Sequence, residues 1–120
     1  MSHPDNMQRT ISAMRPRFIA ALAERLVTIR SARAEIAESG PLQRSLLNIQ
    51  SVAHKTTGVA ATLGFEALGK LTARVDVGIE AFLKTPNDTT LHDTLNAAMD
   101  QMIAAMMEIT AEGETRQTDA

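Results

Sequence analysis

The chain has 120 residues, which predicts a single domain with one modest core. Its hydrophobic content of 44% is typical of a globular protein, but only 2% of its residues are aromatic. Because strands favour aromatic and β-branched residues, this composition predicts helices packed on helices. The net charge of −2 comes from interspersed acidic and basic residues, without a basic stripe, which argues against nucleic-acid binding.

Several kinds of site and location are excluded by residues that the sequence lacks. There is no cysteine, so disulfides, thiolate catalysis and cysteine-based metal sites are ruled out. The histidine spacings of a metal-binding bundle, the nucleophile elbow and the glycine-rich phosphate loop are also missing. No apolar run approaches the roughly 20 residues that span a bilayer, and no signal region is visible. We expect a cytoplasmic protein with no membrane partner and no metal or cofactor of its own.

Hydrophobic periodicity predicts five helical segments in chain order. A short helix over residues 5–14 precedes a long one that begins at Pro16 and ends at the stop signal Ser39-Gly40. The third segment begins at Pro41 and breaks at Gly64. The apolar positions that recur at helical spacing in the second and third segments are Phe18, Leu22, Leu26, Ile29, Ile36, Leu42, Leu46, Ile49, Ala53, Ala60 and Leu63.

The last two segments complete the predicted fold. One runs from Phe65 to Phe82 and stops at a turn-rich linker over residues 84–88; in the other, Thr90 and Asp93 resemble a capping box. Methionines at helical spacing in the last segment are expected in the core. Long helices with short connections predict an all-α fold, an antiparallel up-down four-helix bundle over residues 1–111 with a short extra N-terminal helix. Residues 112–120 are expected to form a flexible polar tail.

A candidate functional histidine lies in the stretch AHKTTGVAATLGF, residues 53–65. At about 100° per residue, His54 lies about 120° from the centre of the inner helix face, on a flank that water can reach. Gly58 in mid-helix costs about 1 kcal/mol relative to alanine, and open access to the imidazole is a functional reason for that cost. The neighbours of His54 on the helix surface are Leu47, Gln50, Ser51, Gly58 and Ala61.

The bend near Gly64 predicts a partner for this ring. His54 lies eleven residues before Phe65 and Asp76 lies eleven residues after it, so a helical hairpin places them side by side. We expect Asp76, or else Arg74 or Lys70, to approach the imidazole. A carboxylate that accepts a hydrogen bond from Nδ1–H would hold one tautomer and leave Nε2 as a free nucleophile.

This stretch resembles the signature of histidine-containing phosphotransfer (HPt) domains. That pattern has a histidine, a glycine at +4, a small residue at +6, an apolar residue at +9 and often a glycine at +10. An apolar–acidic pair near the end of the following helix is also common in the family. With this pair included, the resemblance covers roughly residues 40–84. The matching residues are His54, Gly58, Ala60, Leu63, Gly64, Ile79 and Glu80. The chain departs from the family at Thr57, where a basic residue is frequent, and its nearest basic residue is Lys55.

The resemblance implies a phosphohistidine carrier in two-component signalling, not an autonomous enzyme. His54 would take a phosphoryl group from an aspartyl phosphate on a receiver domain and pass it to another response regulator, with hybrid histidine kinases as further partners. The partner's acidic pocket and its Mg²⁺ would supply most of the transition-state stabilisation, while the bundle positions the nucleophile. A monomer is expected. Candidate docking residues are Leu47, Ser51, Ala61, Phe65, Lys70 and Arg74, with Lys55, Lys70 and Arg74 also candidates for the phosphate or an acidic rim.

Two other interpretations remain open at this point. One is a non-catalytic or degenerate helical scaffold, which a buried His54 would favour. The other is the dimerising hairpin of a histidine kinase, which normally has an acidic residue directly after the histidine and a proline shortly downstream. Here Lys55 follows the histidine, and Val59 stands where that proline would be expected.

Overall fold

A computed structural model of the chain describes the backbone of residues 3–119 and the side chains of residues 6–113. This part of the chain is all-helical and contains no strand, as its composition predicts. Helices α1 and α3 each pack on both α2 and α4, an arrangement compatible with a four-helix bundle. None of the helices within the described range is long and apolar enough to cross a membrane. The helices are α1 (His3–Ser39), α2 (Gln43–Thr62), α3 (Glu66–Lys84) and α4 (Thr89–Asp119).

Helix α1 is continuous where the sequence predicts two helices. Pro16 lies inside it, so the expected short helix over residues 5–14 is the first part of α1 and not a separate element. The proline leaves the carbonyl of Ser12 without its helical N–H partner. Ile11 and Phe18 are two helical turns apart and both pack into the core. Because a single helix keeps both on one face, core packing outweighs the local signal of the proline.

The bend between α2 and α3 is closed by Gly64. Its φ of +90° is left-handed, a conformation that glycine adopts without strain. The N–H of Phe65 donates to the carbonyl of Ala60 at 2.8 Å, and the N–H of Gly64 donates to the carbonyl of Ala61 at 3.2 Å. This pair of bonds is a Schellman motif, and it ends α2 at the predicted position.

The start of α4 is capped by a different residue from the one predicted. Asp88 Oδ1 accepts a hydrogen bond from the backbone N–H of Leu91 at 3.1 Å, which makes Asp88 the N-cap. The cap therefore lies two residues before Thr90, because a carboxylate directly preceding the helix reaches its free N–H groups. At its other end α4 runs past residue 111 to Asp119. The flexibility of the polar tail stays a prediction.

The core is built from the predicted apolar stripes of all four helices. Met102 and Met106 of α4 are fully buried as expected and Met99 joins them, whereas Met107 is 43% exposed. Unbranched methionine side chains fill gaps that an aromatic-poor chain would otherwise leave. The remaining buried apolar residues are Phe18, Leu22, Leu26, Ile29, Ala32, Leu46, Ile49, Ala53, Ala60, Leu63, Leu68, Val75, Ile79, Phe82 and Leu95.

Contacts between α2 and α3 pair residues at similar distances on either side of the bend. A Cβ at Gly69 would lie 3.8 Å from the Cβ of Ala61, and the hydroxyls of Thr57 and Thr72 are 2.7 Å apart. Because Gly69 has no side chain, the two helices pack closely at this position near the bend. The helix register set there determines which residues meet farther along the hairpin.

The Pro16→Ala variant tests whether α1 is a single helix. Alanine restores the missing backbone bond in a helix interior, so we expect the free energy of unfolding to rise by up to about 3 kcal/mol. Chemical denaturation and far-UV circular dichroism measure stability and helix content. A fall in stability would instead support a helix that begins at residue 16, where proline is favourable.

Candidate functional site

The candidate site is centred on an exposed imidazole in the middle of α2. The preceding residue, Ala53, is fully buried, whereas the His54 side chain is 78% exposed. One step of about 100° around the helix carries the side chain from the core to the solvent-facing flank. His54 is therefore accessible to a partner while its backbone is held by a packed helix.

Asp76 of α3 contacts this ring directly. Its Oδ2 lies 2.7 Å from His54 Nδ1, and its side chain is only 24% exposed. An ionised carboxylate only accepts hydrogen bonds, so Nδ1 carries the proton and donates it to Asp76. In the neutral ring this leaves the lone pair on Nε2. The structure brings together the pair that the hairpin predicts, with Asp76 at the ring and not Arg74 or Lys70.

Three further residues, which the sequence did not assign to the site, complete a polar network around Asp76. Gln50 Nε2 lies 3.1 Å from Asp76 Oδ1 and 3.1 Å from Glu80 Oε2. Lys84 Nζ lies 3.9 Å from the other carboxylate oxygen of Glu80. Gln50 and His54 are four residues apart on α2, and so are Asp76 and Glu80 on α3. This spacing, which places each pair on one helix face, is the sequence signal that identifies the network.

The space around the ring is open. A Cβ built on Gly58 would meet no atom within 4 Å, so the glycine leaves the helix surface beside His54 bare. The ring stands between two shallow depressions. One is lined by Leu47, Gln50, Ser51 and Lys55, and the other by Val77, Glu80, Ala81 and Lys84.

Thr57, at the position where HPt domains often have a basic residue, faces the neighbouring helix. Its hydroxyl lies 2.9 Å from the carbonyl of Ala53 and 2.7 Å from the hydroxyl of Thr72. Thr57 therefore joins α2 to α3 instead of reaching solvent beside the ring. Lys55 is exposed and lines a depression that also contains His54. Lys55 is also the basic residue nearest to His54 in the sequence.

The predicted docking residues fall into separate groups. Leu47 and Ser51 are exposed beside His54, and Ala61 is exposed farther along α2. Lys70 and Arg74 line a different surface, a groove between α3 and α4. The ring of Phe65 is half-buried at the bend, where its centroid lies 5.4 Å from that of Phe18 and 4.8 Å from the Arg15 guanidinium carbon. The role of these residues in docking stays a prediction.

Val77 is an exposed apolar residue that the sequence analysis does not single out. Its side chain is 68% exposed, and it lines both the depression beside His54 and the groove between α3 and α4. Val75 and Ile79, two residues to either side, are fully buried. An apolar residue between two core positions of a helix lies on the outer face, and this pattern identifies Val77 from the sequence.

The chemistry available at this site is that of a nucleophile presented to an external partner. His54 has an accessible Nε2, a partner for Nδ1 and bare backbone alongside. Among the side chains that the structure describes, no cluster of three or more His, Asp, Glu or Cys residues is arranged to hold a metal ion. Comparisons with protein-family models, curated proteins and solved structures found no match to this chain.

The Gly58→Ala variant tests whether the glycine serves access and not packing. Because a Cβ there meets open space, we expect alanine to stabilise the protein by about 0.5–1 kcal/mol in denaturant titrations. Gly113→Ala is the matched control, since a Cβ at that helical glycine would lie 2.7 Å from Ile19 Cγ2. It should gain less or lose stability. Destabilisation by Gly58→Ala would mean that the glycine is needed for packing.

Proposed function

We propose that the protein is a phosphorelay intermediate of the HPt type in which His54 is the phosphoacceptor. The observation that carries this proposal is a 78% exposed imidazole whose Nδ1 is bonded to Asp76 and whose Nε2 is free. The match of residues 54–64 to the HPt pattern supports the same assignment. In this role the protein carries a phosphoryl group between partners and has no substrate of its own.

The transfer is a displacement at phosphorus. The Nε2 lone pair attacks the phosphorus of an aspartyl phosphate on a receiver domain, the N–P bond forms, and the P–O bond to the aspartate breaks. The aspartate leaves as a carboxylate, and the proton on Nδ1 stays in its hydrogen bond to Asp76. The reverse sequence passes the group to the aspartate of a second response regulator. Positioning of the nucleophile is the contribution of this chain.

Basic side chains beside the ring and on the neighbouring groove are candidates to contact an acidic partner. Lys55 lies in the depression beside His54 and is the candidate contact for the transferred phosphoryl group. Lys70 and Arg74, on the groove between α3 and α4, are candidates for the acidic rim of a receiver domain. The receiver's own Mg²⁺ and carboxylates are expected to stabilise the charge that develops in transfer. Response regulators and hybrid histidine kinases are therefore the proposed partners.

The proposed scaffold is an antiparallel up-down bundle that acts as a cytoplasmic monomer. Its support is that α1 and α4 of the same chain cover the apolar faces of α2 and α3. A dimerising kinase hairpin would need a second copy to cover those faces. Within the described part of the chain, α1 and α4 already cover them. The exposure of His54 likewise counts against a degenerate scaffold.

The His54→Gln variant tests the phosphoacceptor. Mixed with a receiver domain carrying ³²P on its aspartate, the wild-type protein should take up label that is labile to acid and stable to base. The variant should take up none, because glutamine has no nucleophilic ring nitrogen. His92→Gln, on the first turn of α4, is the control and should label like the wild type. Equal labelling of the His54 variant and the wild type would refute the assignment.

The Val77→Asp variant tests the docking surface. A buried charge at an apolar contact typically weakens an interface, so we expect the KM for the phosphorylated receiver to rise about tenfold. The rate at saturating receiver should change little, because residue 77 does not touch the ring nitrogens.

Val27→Asp is the matched control for docking. Val27 is 66% exposed, close to the 68% of Val77, but it lies on α1, which packs on α2 and α4 and not on α3. It should leave both kinetic constants unchanged. Equal effects of the two substitutions would show that the loss is general and that α3 is not the docking face.

A further inference from the structure

The geometry points to Gln50 as a positioning residue that acts on His54 through Asp76. This inference rests on the proposed function, since it names a residue that prepares the same imidazole for transfer. Gln50 does not touch the ring in the contacts that the structure gives. It holds the carboxylate that holds the ring, from the same helix that carries the histidine.

The orientation of the Gln50 amide follows from its partners. Its Nε2 lies 3.1 Å from Asp76 Oδ1, 3.3 Å from the Asp76 carbonyl oxygen and 3.1 Å from Glu80 Oε2. All three atoms accept hydrogen bonds, so only the NH₂ group of the amide satisfies them. The two amide hydrogens therefore bridge Asp76 and Glu80, two carboxylates one helical turn apart on α3.

This bridge restricts Asp76 to one orientation. With Oδ1 held by Gln50, the other oxygen, Oδ2, is directed at His54 Nδ1. The amide also lies between two like charges that would otherwise repel each other, and Lys84 offsets the charge on Glu80. Gln50 is half-buried, so its bonds compete less with water than bonds on a fully exposed surface.

The consequence for transfer is the identity of the leaving group. When the N–P bond at Nε2 breaks, a ring that has kept its proton on Nδ1 leaves as neutral imidazole, and a ring without it leaves as imidazolate. Neutral imidazole is the far weaker base and the better leaving group. By keeping Asp76 on Nδ1–H, Gln50 maintains the tautomer that makes Nε2 both a nucleophile and a leaving atom.

The Gln50→Met variant tests this inference in the free protein. Methionine has a similar length and helix propensity but no N–H group. In histidine labelled with ¹⁵N, two-bond N–H correlation spectra distinguish the Nδ1–H tautomer from the Nε2–H tautomer, and His54→Gln assigns the signals. The wild type should have the proton on Nδ1, and Gln50→Met should shift His54 toward a tautomer mixture. Gln101→Met, on α4, is the control and should match the wild type.

Kinetic measurements then distinguish a positioning role of Gln50 from a purely structural role. We expect Gln50→Met to lower the maximal rate of phosphoryl transfer about tenfold with an unchanged KM. A loss of this size is typical when a hydrogen bond to a charged group is removed. In an Asp76→Asn background the same substitution should have no further effect, because Gln50 acts through that carboxylate.

Failure of the inference about Gln50 can be distinguished from failure of the proposed function. A wild-type ring with its proton on Nε2, or wild-type ¹⁵N shifts in a folded Gln50→Met protein, would overturn the role of Gln50. Additive losses in the double variant would do the same. If the wild type takes no label from any receiver, the proposed function fails while the tautomer measurement still decides the role of Gln50.

Discussion

The hydrogen bond between His54 and Asp76 links two helices and fixes the chemical state of the candidate nucleophile. It is 2.7 Å long and joins the outer edge of α2 to that of α3. A carboxylate at Nδ1 places the lone pair of the neutral ring on Nε2, the nitrogen that the proposed transfer uses. In the proposed phosphoryl transfer, the exposure of the ring, the open surface at Gly58 and the surrounding depressions would all depend on this bond.

The bond in turn depends on the register of the α2–α3 hairpin. That register is determined at the bend, by the left-handed Gly64 and by the close approach of the helices at Gly69. Below the bend, Thr57 and Thr72 meet through their hydroxyls, and Gln50 spans to Asp76 and Glu80. The packed core beneath both helices makes this arrangement rigid, since buried apolar side chains interdigitate and resist sliding. The position of His54 on the surface is therefore determined mostly by contacts at the bend, between α2 and α3, and in the core.

In the proposed function, reactivity and recognition use different surfaces. Reactivity is proposed for the polar network on the facing edges of α2 and α3, where His54 Nδ1, Asp76, Gln50 and Glu80 are hydrogen-bonded to one another. Recognition is proposed for the outer face of α3, where Val77 is exposed among small and basic residues. Because a docked partner would cover the apolar side chain and leave the network intact, substitutions on the two surfaces should change different kinetic constants.

The sequence by itself determined the helical class, the burial of Met102 and Met106, the helix break at Gly64 and the candidate pair of His54 and Asp76. Periodicity specifies which residues face inward, and distance from a bend specifies which residues pair, so these features need no coordinates. Tertiary structure decided what local signals could not. Packing of Ile11 and Phe18 on one face carries α1 through Pro16, and the distance between α2 and α3 determines that Gln50 reaches Asp76. Both features depend on the distances between the helices. Those distances are determined by the volumes of all the side chains in the core together.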